Sequence, residues 1–183
     1  MKHFNRFRMF CVTLALALTL VACAPAASGE TAGPAEVALE AALEVPAMLP
    51  NGEAVNLRFT LTNNTDTRLY VLKWYTPLEG VAGEIFRVTR DGQTVPYEGI
   101  LATRVAPPPE DYVRLEPDES VSAEVNLATV YDFSLAGEYT IEFISPRISH
   151  VARTEAEMAK TLDDLGPVQM PSNEVTVRIG VSS

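Results

Sequence analysis

Few residues in this sequence are of types that catalyse reactions or bind metals, and their spacing fits no catalytic pattern. The sequence has two histidines, and only His150 lies beyond the apolar segment near the N-terminus. A catalytic zinc site normally needs two or more histidines, or histidine with glutamate, and the pattern H-E-x-x-H does not occur in the sequence. A Ser-His-Asp arrangement would have to use His150 with Ser145 or Ser149, but no G-x-S-x-G accompanies them. We therefore expect His150 to be an ordinary exposed histidine.

Two acidic stretches also lack the geometry of a site. Asp163 and Asp164 are adjacent in a segment that we predict to be helical, so their side chains diverge by about 100° and cannot act as a pair. The run "NNTDT" at residues 63–67 lacks the spacing of a calcium-binding loop. No glycine-rich phosphate loop is present in the sequence. These observations predict a protein that is not an enzyme and that has no cofactor, no metal site and no evident small-molecule substrate.

The N-terminus has the pattern of an export signal, which we place at residues 1–22. A basic start is followed by an apolar run from Met9 to Val21, which is shorter than the roughly 20 residues that span a bilayer. The run "LVAC" resembles the lipobox of bacterial lipoproteins, and this resemblance implies cleavage before Cys23 and acylation of Cys23. The alternative is an ordinary signal peptide that contains a cysteine. Because Ala24 rather than Asp follows the cysteine, the resemblance favours the outer membrane, facing the periplasm or the cell surface.

Residues 23–36 are predicted to be the lipid-bearing cysteine and a flexible tether, because they are rich in Ala, Pro, Gly and Ser. Two or more acyl chains anchor a protein stably to a membrane that it does not span. The other cysteine, Cys11, leaves with the signal, so we expect no disulfide in the mature chain. Residues 37–183 are then one domain whose stability depends on its core.

The predicted mature chain is acidic, with 11 basic residues against 24 acidic ones after the three basic residues of the signal are removed. A net charge of −13 argues against binding to nucleic acid and against electrostatic attraction to anionic lipid. It is typical of a solvated extracytoplasmic surface and also compatible with a basic protein partner.

Apolar and polar residues alternate over most of residues 37–183, which predicts half-buried antiparallel strands. The segment from Leu39 to Val45 fits either a helix or a strand, and we predict a strand because its apolar residues alternate and Pro46 ends it. Asp91-Gly92 predicts a hairpin, and Pro117 a turn at residues 116–119. Seven or eight such strands predict an all-β, immunoglobulin-like sandwich. The clearest alternating sets are Val55, Leu57, Phe59 and Leu61; Val121, Ala123, Val125 and Leu127; Tyr139, Ile141 and Phe143; and Val175, Val177, Ile179 and Val181.

One short helix is predicted before the last strand. Thr154 and Glu157 have the spacing of a capping box, and Gly166 with Pro167 would end the helix. Met158, Leu162 and Leu165 would then lie on one face and dock on the sandwich. The three consecutive prolines at 107–109 predict an extended connection outside the sheets. Trp74 lies in the run "RLYVLKWY", which is apolar on both faces of a strand. We therefore expect Trp74 to be a core residue; the alternative is that its ring is a surface on which a ligand binds.

Two long stretches, "LRFTLTNNTDTRLYVLKWYTPLEGVAGEIFRVTRDGQTVPYEG" and "LEPDESVSAEVNLATVYDFSLAGEYTIEF", carry a resemblance to a known family. They resemble the non-catalytic N-terminal region of bacterial deuterolysin-like zinc metalloproteases of the M35 type. The similarity covers most of residues 57–143 and continues through "TLDDLGPVQMPSNEVTV". The zinc ligands and catalytic glutamate of those enzymes have no matching positions among the 183 residues, so none is assigned. A weaker resemblance, through "LTNNTD" and "LEPDES…GEY", links the chain to the BsuPI-type proteinase inhibitor domain.

Together with the predicted lipid anchor, this resemblance implies a membrane-anchored accessory module that binds a protein partner such as a metalloprotease, as an inhibitor, a folding assistant or a substrate-binding domain. The alternative is a structural or surface envelope lipoprotein with no protease connection. Loops on a rigid sandwich usually hold the binding site. In the loop at residues 75–83, Leu78 and Val81 are apolar residues that fit neither a strand nor a helix repeat. In the strand that follows, Ile85 should face away from Phe86 and Val88. Leu78, Val81 and Ile85 are therefore the candidate partner-binding patch; alternatively, the loop only covers one end of the core.

Overall fold

The computed structural model describes residues 38–180. The predicted signal peptide, Cys23 and the tether lie outside these residues. Within residues 38–180 no helix is long and apolar enough to cross a membrane. The same part of the chain forms eleven strands: β1 Leu39–Glu44, β2 Met48–Pro50, β3 Asn56–Asn63, β4 Leu69–Leu72, β5 Phe86–Arg90, β6 Gln93–Val95, β7 Tyr112–Leu115, β8 Ser120–Asn126, β9 Gly137–Phe143, β10 Val151–Ala152 and β11 Glu174–Gly180.

The strands form three sheets with the orders β1-β3-β8, β10-β4-β7 and β2-β11-β9-β5-β6. Their pairs are antiparallel except for β2, which runs parallel to β11. The first two sheets are joined end to end, because β3 pairs with β8 and then β4 pairs with β7. The fold is therefore the all-β, immunoglobulin-like sandwich that the alternation predicts.

The main core lies between the sheets and follows the predicted alternation. In β3 the side chains of Leu57, Phe59 and Leu61 are fully buried, while the intervening residues are exposed or half-buried. The ring of Phe143 in β9 lies 5.1 Å from that of Phe59 and 5.9 Å from that of Phe86, in tilted and edge-on contacts. Burial of each large apolar side chain contributes about 1.5–3 kcal/mol, so these rows supply much of the folding free energy.

Strand β4 is buried on both faces, and a second core lies on its outer side. Leu69 and Val71 belong to the main core, whereas Tyr70 and Leu72 belong to a second cluster with Trp74, Tyr112 and Ala152. Met158 and Leu165 cover this second cluster. The run "RLYVLKWY" is therefore apolar on both faces because both of its faces are buried.

The helix predicted before the last strand is wrong. Residues 153–165 contain instead two single 3-10 turns, Glu155–Glu157 and Leu162–Asp164. The side chain of Thr154 makes no capping bond. The backbone N–H of Ala159 donates to the hydroxyl of Tyr112 at 3.1 Å, and in an α-helix the same N–H would be used within the helix. A contact across 47 residues therefore overrides the local helix signals.

The segment docks on the sandwich as expected, but only in part. Met158 and Leu165 pack against the second cluster, while Leu162 is 46% exposed. The acidic residues that suggested helix capping instead stabilise the two single 3-10 turns. Glu157 accepts the N–H of Arg153 at 2.9 Å, and Asp164 accepts the N–H groups of Lys160 and Thr161, both at 2.9 Å. These bonds to backbone N–H groups lower the pKa of Glu157 and of Asp164.

Two local predictions are confirmed, and a tyrosine contact fixes a third loop. Asp91 and Gly92 have φ values of 47° and 81°, as a two-residue hairpin between β5 and β6 requires. Glu119 donates its N–H to the carbonyl of Glu116 at 3.1 Å, which closes the turn that contains Pro117. The hydroxyl of Tyr139 donates to the carbonyl of Leu135 at 2.8 Å, which fixes the loop before β9 as in the corner of immunoglobulin-like sandwiches.

Asn63, a fully buried polar residue at the end of β3, holds the two joined sheets together. Its side-chain amide donates to the carbonyls of Thr67, Leu115 and Glu116 at 2.8, 3.2 and 3.0 Å. Its side-chain oxygen accepts the N–H and the hydroxyl of Thr65 at 3.0 and 2.7 Å. The run "NNTDT" thus links β3 to β4, and its first residue also holds the connection between β7 and β8.

We predict that Asn63→Ala lowers the free energy of unfolding by about 2–4 kcal/mol, because it removes the five hydrogen bonds that this fully buried side chain makes. The measurement is urea denaturation, monitored by the fluorescence of Trp74, the single tryptophan. Asn64→Ala is the matched control, because the Asn64 side chain bonds only the exposed Glu40 and should cost under about 0.5 kcal/mol. Equal stability of the two variants would contradict the role given to Asn63.

Candidate partner-binding site

The chemically capable side chains of the described region have structural roles. The Nδ1 atom of His150 lies 3.2 Å from the hydroxyl of Tyr112, and burial raises the pKa of that phenol. Ser149 is 1% exposed and donates to the carbonyl of Leu72 at 3.4 Å, while the hydroxyl of Ser145 accepts the N–H of Met170 at 3.0 Å. No group of three or more His, Cys, Asp or Glu residues within 38–180 is arranged to hold a metal. This geometry provides no nucleophile–base pair.

The predicted patch is only partly at the surface. Leu78 and Val81 are half-buried and pack against the main core. Ile85 is 3% exposed and belongs to the same core as Phe86 and Val88, so its predicted outward orientation is wrong. The reason is local, because β5 begins only at Phe86 and the N–H of Ile85 donates to the carbonyl of Gly83 at 2.9 Å. Ile85 thus precedes the strand and does not follow its alternation.

A second loop, residues 96–108, lies over the first and carries the exposed apolar surface that the patch lacks. Ile100, Leu101 and Val105 are 71%, 77% and 73% exposed. The N–H of Ala102 donates to the carbonyl of Ala82 at 3.2 Å, which joins the two loops. We call residues 96–108 the apolar loop.

The first half of the apolar loop is fixed by Tyr97. Its hydroxyl donates to the carbonyl of Ile100 at 2.7 Å and lies 3.3 Å from that of Val81. Its ring packs edge-on against Tyr131 at 5.5 Å, and burial raises the pKa of both phenols. A side chain at Gly99 would collide with the Tyr97 hydroxyl and with Val130, so one of these side chains would have to move.

The second half is fixed by Arg104. Its guanidinium lies 4.7 Å from the ring centre of Trp74 and 5.2 Å from that of Tyr75, and it forms an ion pair with Glu79. The side chains of Arg104 and Glu79 are only 17% and 15% exposed. Such stacking contributes about 0.5–2 kcal/mol, more where water is excluded.

The partners of Arg104 are themselves held in place. Glu79 also accepts the N–H of Tyr75 at 2.7 Å, and Tyr75 has a φ of 55° in the left-handed region. The indole N–H of Trp74 donates to Asp111 at 2.7 Å. Trp74 is 3% exposed, so it is a core residue whose ring supports Arg104, and the alternative of a ligand platform is excluded.

Sequence reasoning missed Arg104 and the three exposed apolar residues of the apolar loop. The signal that singled out Leu78 and Val81, large apolar residues without a period, applies equally to Ile100, Leu101 and Val105. The ion pair of Arg104 with Glu79 joins residues that are 25 positions apart in two irregular segments. No sequence pattern predicts such a pair.

A family model described as an immunoglobulin-like domain matches residues 42–143, and the chain belongs to this family. Both loops of the candidate site lie within the matched residues. An extracellular protease of Aeromonas hydrophila is 34% identical over 130 residues, which cover 70% of this chain and 35% of that protein. A neutral protease 2 homologue of Uncinocarpus reesii is 34% identical over 87 residues, covering 46% of this chain and 24% of that protein.

The relationship to deuterolysin-like proteases expected from the sequence is therefore confirmed, and it involves the immunoglobulin-like part. The chain spans about a third of the Aeromonas protease and a quarter of the fungal one. Among solved structures, the CARDB domain of a Pyrococcus furiosus protein is similar at 13% identity and a TM-score of 0.33, covering 79% of this chain and 94% of that one. That score is too low for any argument about function.

We predict that Arg104→Met lowers the free energy of unfolding by about 2 kcal/mol, because Glu79 then lies largely buried without its cation. It should also change the emission of Trp74 and speed hydrogen exchange in the apolar loop. Arg87→Ala, which removes an ion pair with Glu142 whose arginine is 59% exposed, is the control and should change stability by under about 0.5 kcal/mol. Unchanged exchange in the Arg104 variant would show that this residue does not fix the loop.

Proposed function

We propose that the chain is a non-catalytic, exported and lipid-anchored module whose immunoglobulin-like domain binds a protease of the deuterolysin-like class. The observation that carries the proposal is the match of 130 residues to the Aeromonas extracellular protease, of which this chain spans only 35%. The matched part is immunoglobulin-like, and the side chains brought together in the described structure are suited to contact rather than to catalysis.

The site supports protein binding over small-molecule binding. A rigid loop that holds large apolar side chains in solvent is typical of a protein-binding surface, because monomeric proteins rarely leave such residues clustered. The surface depression that includes Glu98 of the loop, lined also by residues 51–53, Ala128 and residues 131–134, is open and mixed in polarity. Ligand pockets for small molecules are enclosed and mainly apolar.

The proposal is tested with the extracellular protease secreted by Aeromonas hydrophila and the full chain purified in mild detergent. We expect saturable binding in biolayer interferometry, and casein hydrolysis in parallel shows the consequence of binding. A fall in hydrolysis identifies an inhibitor, whereas slower thermal inactivation of the protease identifies a folding or stabilising role. No binding at micromolar concentration would contradict the proposal and leave the structural lipoprotein as the better interpretation.

Anchoring is tested separately at Cys23. We expect Cys23→Ser to lose the mass of the attached lipid and to leave the membrane fraction or accumulate as precursor, because the thiol is the acylation site. Cys11→Ser is the matched control, since Cys11 is removed with the signal, and it should behave as wild type. A Cys23 variant with wild-type mature mass and fractionation would rule out lipid attachment at this residue.

A further inference from the structure

Exposed apolar side chains are concentrated in the apolar loop. Seven large apolar residues among 38–180 are exposed, and three of them, Ile100, Leu101 and Val105, fall within six positions. The others are spread over β2, the loop before β9 and the segments around β10. Single exposed apolar residues need no explanation, but a cluster marks an interaction surface.

The loop is prevented from burying these side chains itself. Tyr97 and Arg104 fix its two halves, and the bond from Ala102 to Ala82 fixes its middle. Hydrogen bonds and an ion pair thus hold the loop in a conformation that leaves Ile100 and Leu101 exposed to solvent. A contact surface that is ordered before binding loses less conformational entropy when a partner arrives.

Three exposed acidic residues lie in or next to the two loops of the site. Glu84, Glu98 and Glu110 are exposed, and none forms an ion pair with any residue in 38–180. The one cation inside the loop, Arg104, is neutralised by Glu79. The ammonium of Lys73 donates to the carbonyl of Glu110 at 2.8 Å, so the negative charge is least compensated at Glu84 and Glu98. The surface therefore has an apolar centre with acidic residues at its edge, which is complementary to an apolar cleft bordered by lysine or arginine.

We propose that Ile100 and Leu101 are the anchor residues that insert into an apolar cleft with a basic rim on the protease, with Val105 at the edge of the contact. This inference rests on the proposed function, because both name a protease as the partner that binds this domain. The acidic rim speeds encounter, and the two anchors supply most of the affinity.

The test compares the full chain carrying Ile100→Ser and Leu101→Ser with a matched control carrying Met48→Ser and Leu135→Ser. The control residues are 67% and 52% exposed and lie outside residues 96–108, at β2 and before β9. Binding to the secreted Aeromonas protease is measured for both, after thermal melts show that each is folded. We expect the loop variant to bind at least about tenfold more weakly and the control to bind as wild type.

A second variant, Glu98→Gln with Glu110→Gln, tests the rim. We expect a slower association rate and a weaker dependence of that rate on salt, with little change in dissociation. Equal binding by the loop variant and wild type, or equal losses in the loop variant and the control, would overturn the inference and leave the proposed function standing. Absence of binding by the wild-type chain would overturn both.

Discussion

The structure depends on a buried amide at the point where one strand ladder continues into another. Asn63 bonds three carbonyls and one threonine across the break between β3 and β4 and the break between β7 and β8. Without these bonds the two breaks would lose the side-chain contacts that join them, and a hydrogen bond of this kind contributes about 0.5–1.5 kcal/mol. With them, the register set by β3 and β8 passes on to β4 and β7, where Leu69 faces Leu115 and Leu72 faces Tyr112.

That register extends to the candidate site. Immediately beyond β4 the N–H of Lys73 donates to the carbonyl of Asp111 at 2.9 Å, and the indole of Trp74 donates to the Asp111 carboxylate. Trp74 then carries Arg104 on its face, and Arg104 fixes the second half of the apolar loop. The second half of the apolar loop, which includes Val105, is therefore positioned through hydrogen bonds and ring contacts that continue from β4 and β7. Lysine would not replace Arg104, because only a planar guanidinium both stacks on rings and bonds a carboxylate with fixed geometry.

Much of the sandwich was predictable from the sequence because its determinants are local. Alternation in β3 and β9 follows from one buried and one wet face, and Asp91-Gly92 determines a hairpin through its own backbone preferences. The helix prediction failed because its signals, Thr154 with Glu157, compete with the contact between Ala159 and Tyr112. Ile85 was misplaced because strand alternation was extended one residue too far. The pairing of Arg104 with Glu79 and two rings was not predictable, since irregular segments carry no period.

The family match ends at residue 143, yet the remainder of the described chain completes the site. Strand β11 pairs along β9, and β10 pairs with β4. Met158 and Leu165 close the second cluster around Trp74. If this cover were absent, Tyr70, Leu72 and Trp74 would face water, and the support beneath Arg104 would loosen. The immunoglobulin-like part thus carries the candidate contact residues, while the segment after it supplies the second core that holds Trp74, and through it the apolar loop, in place.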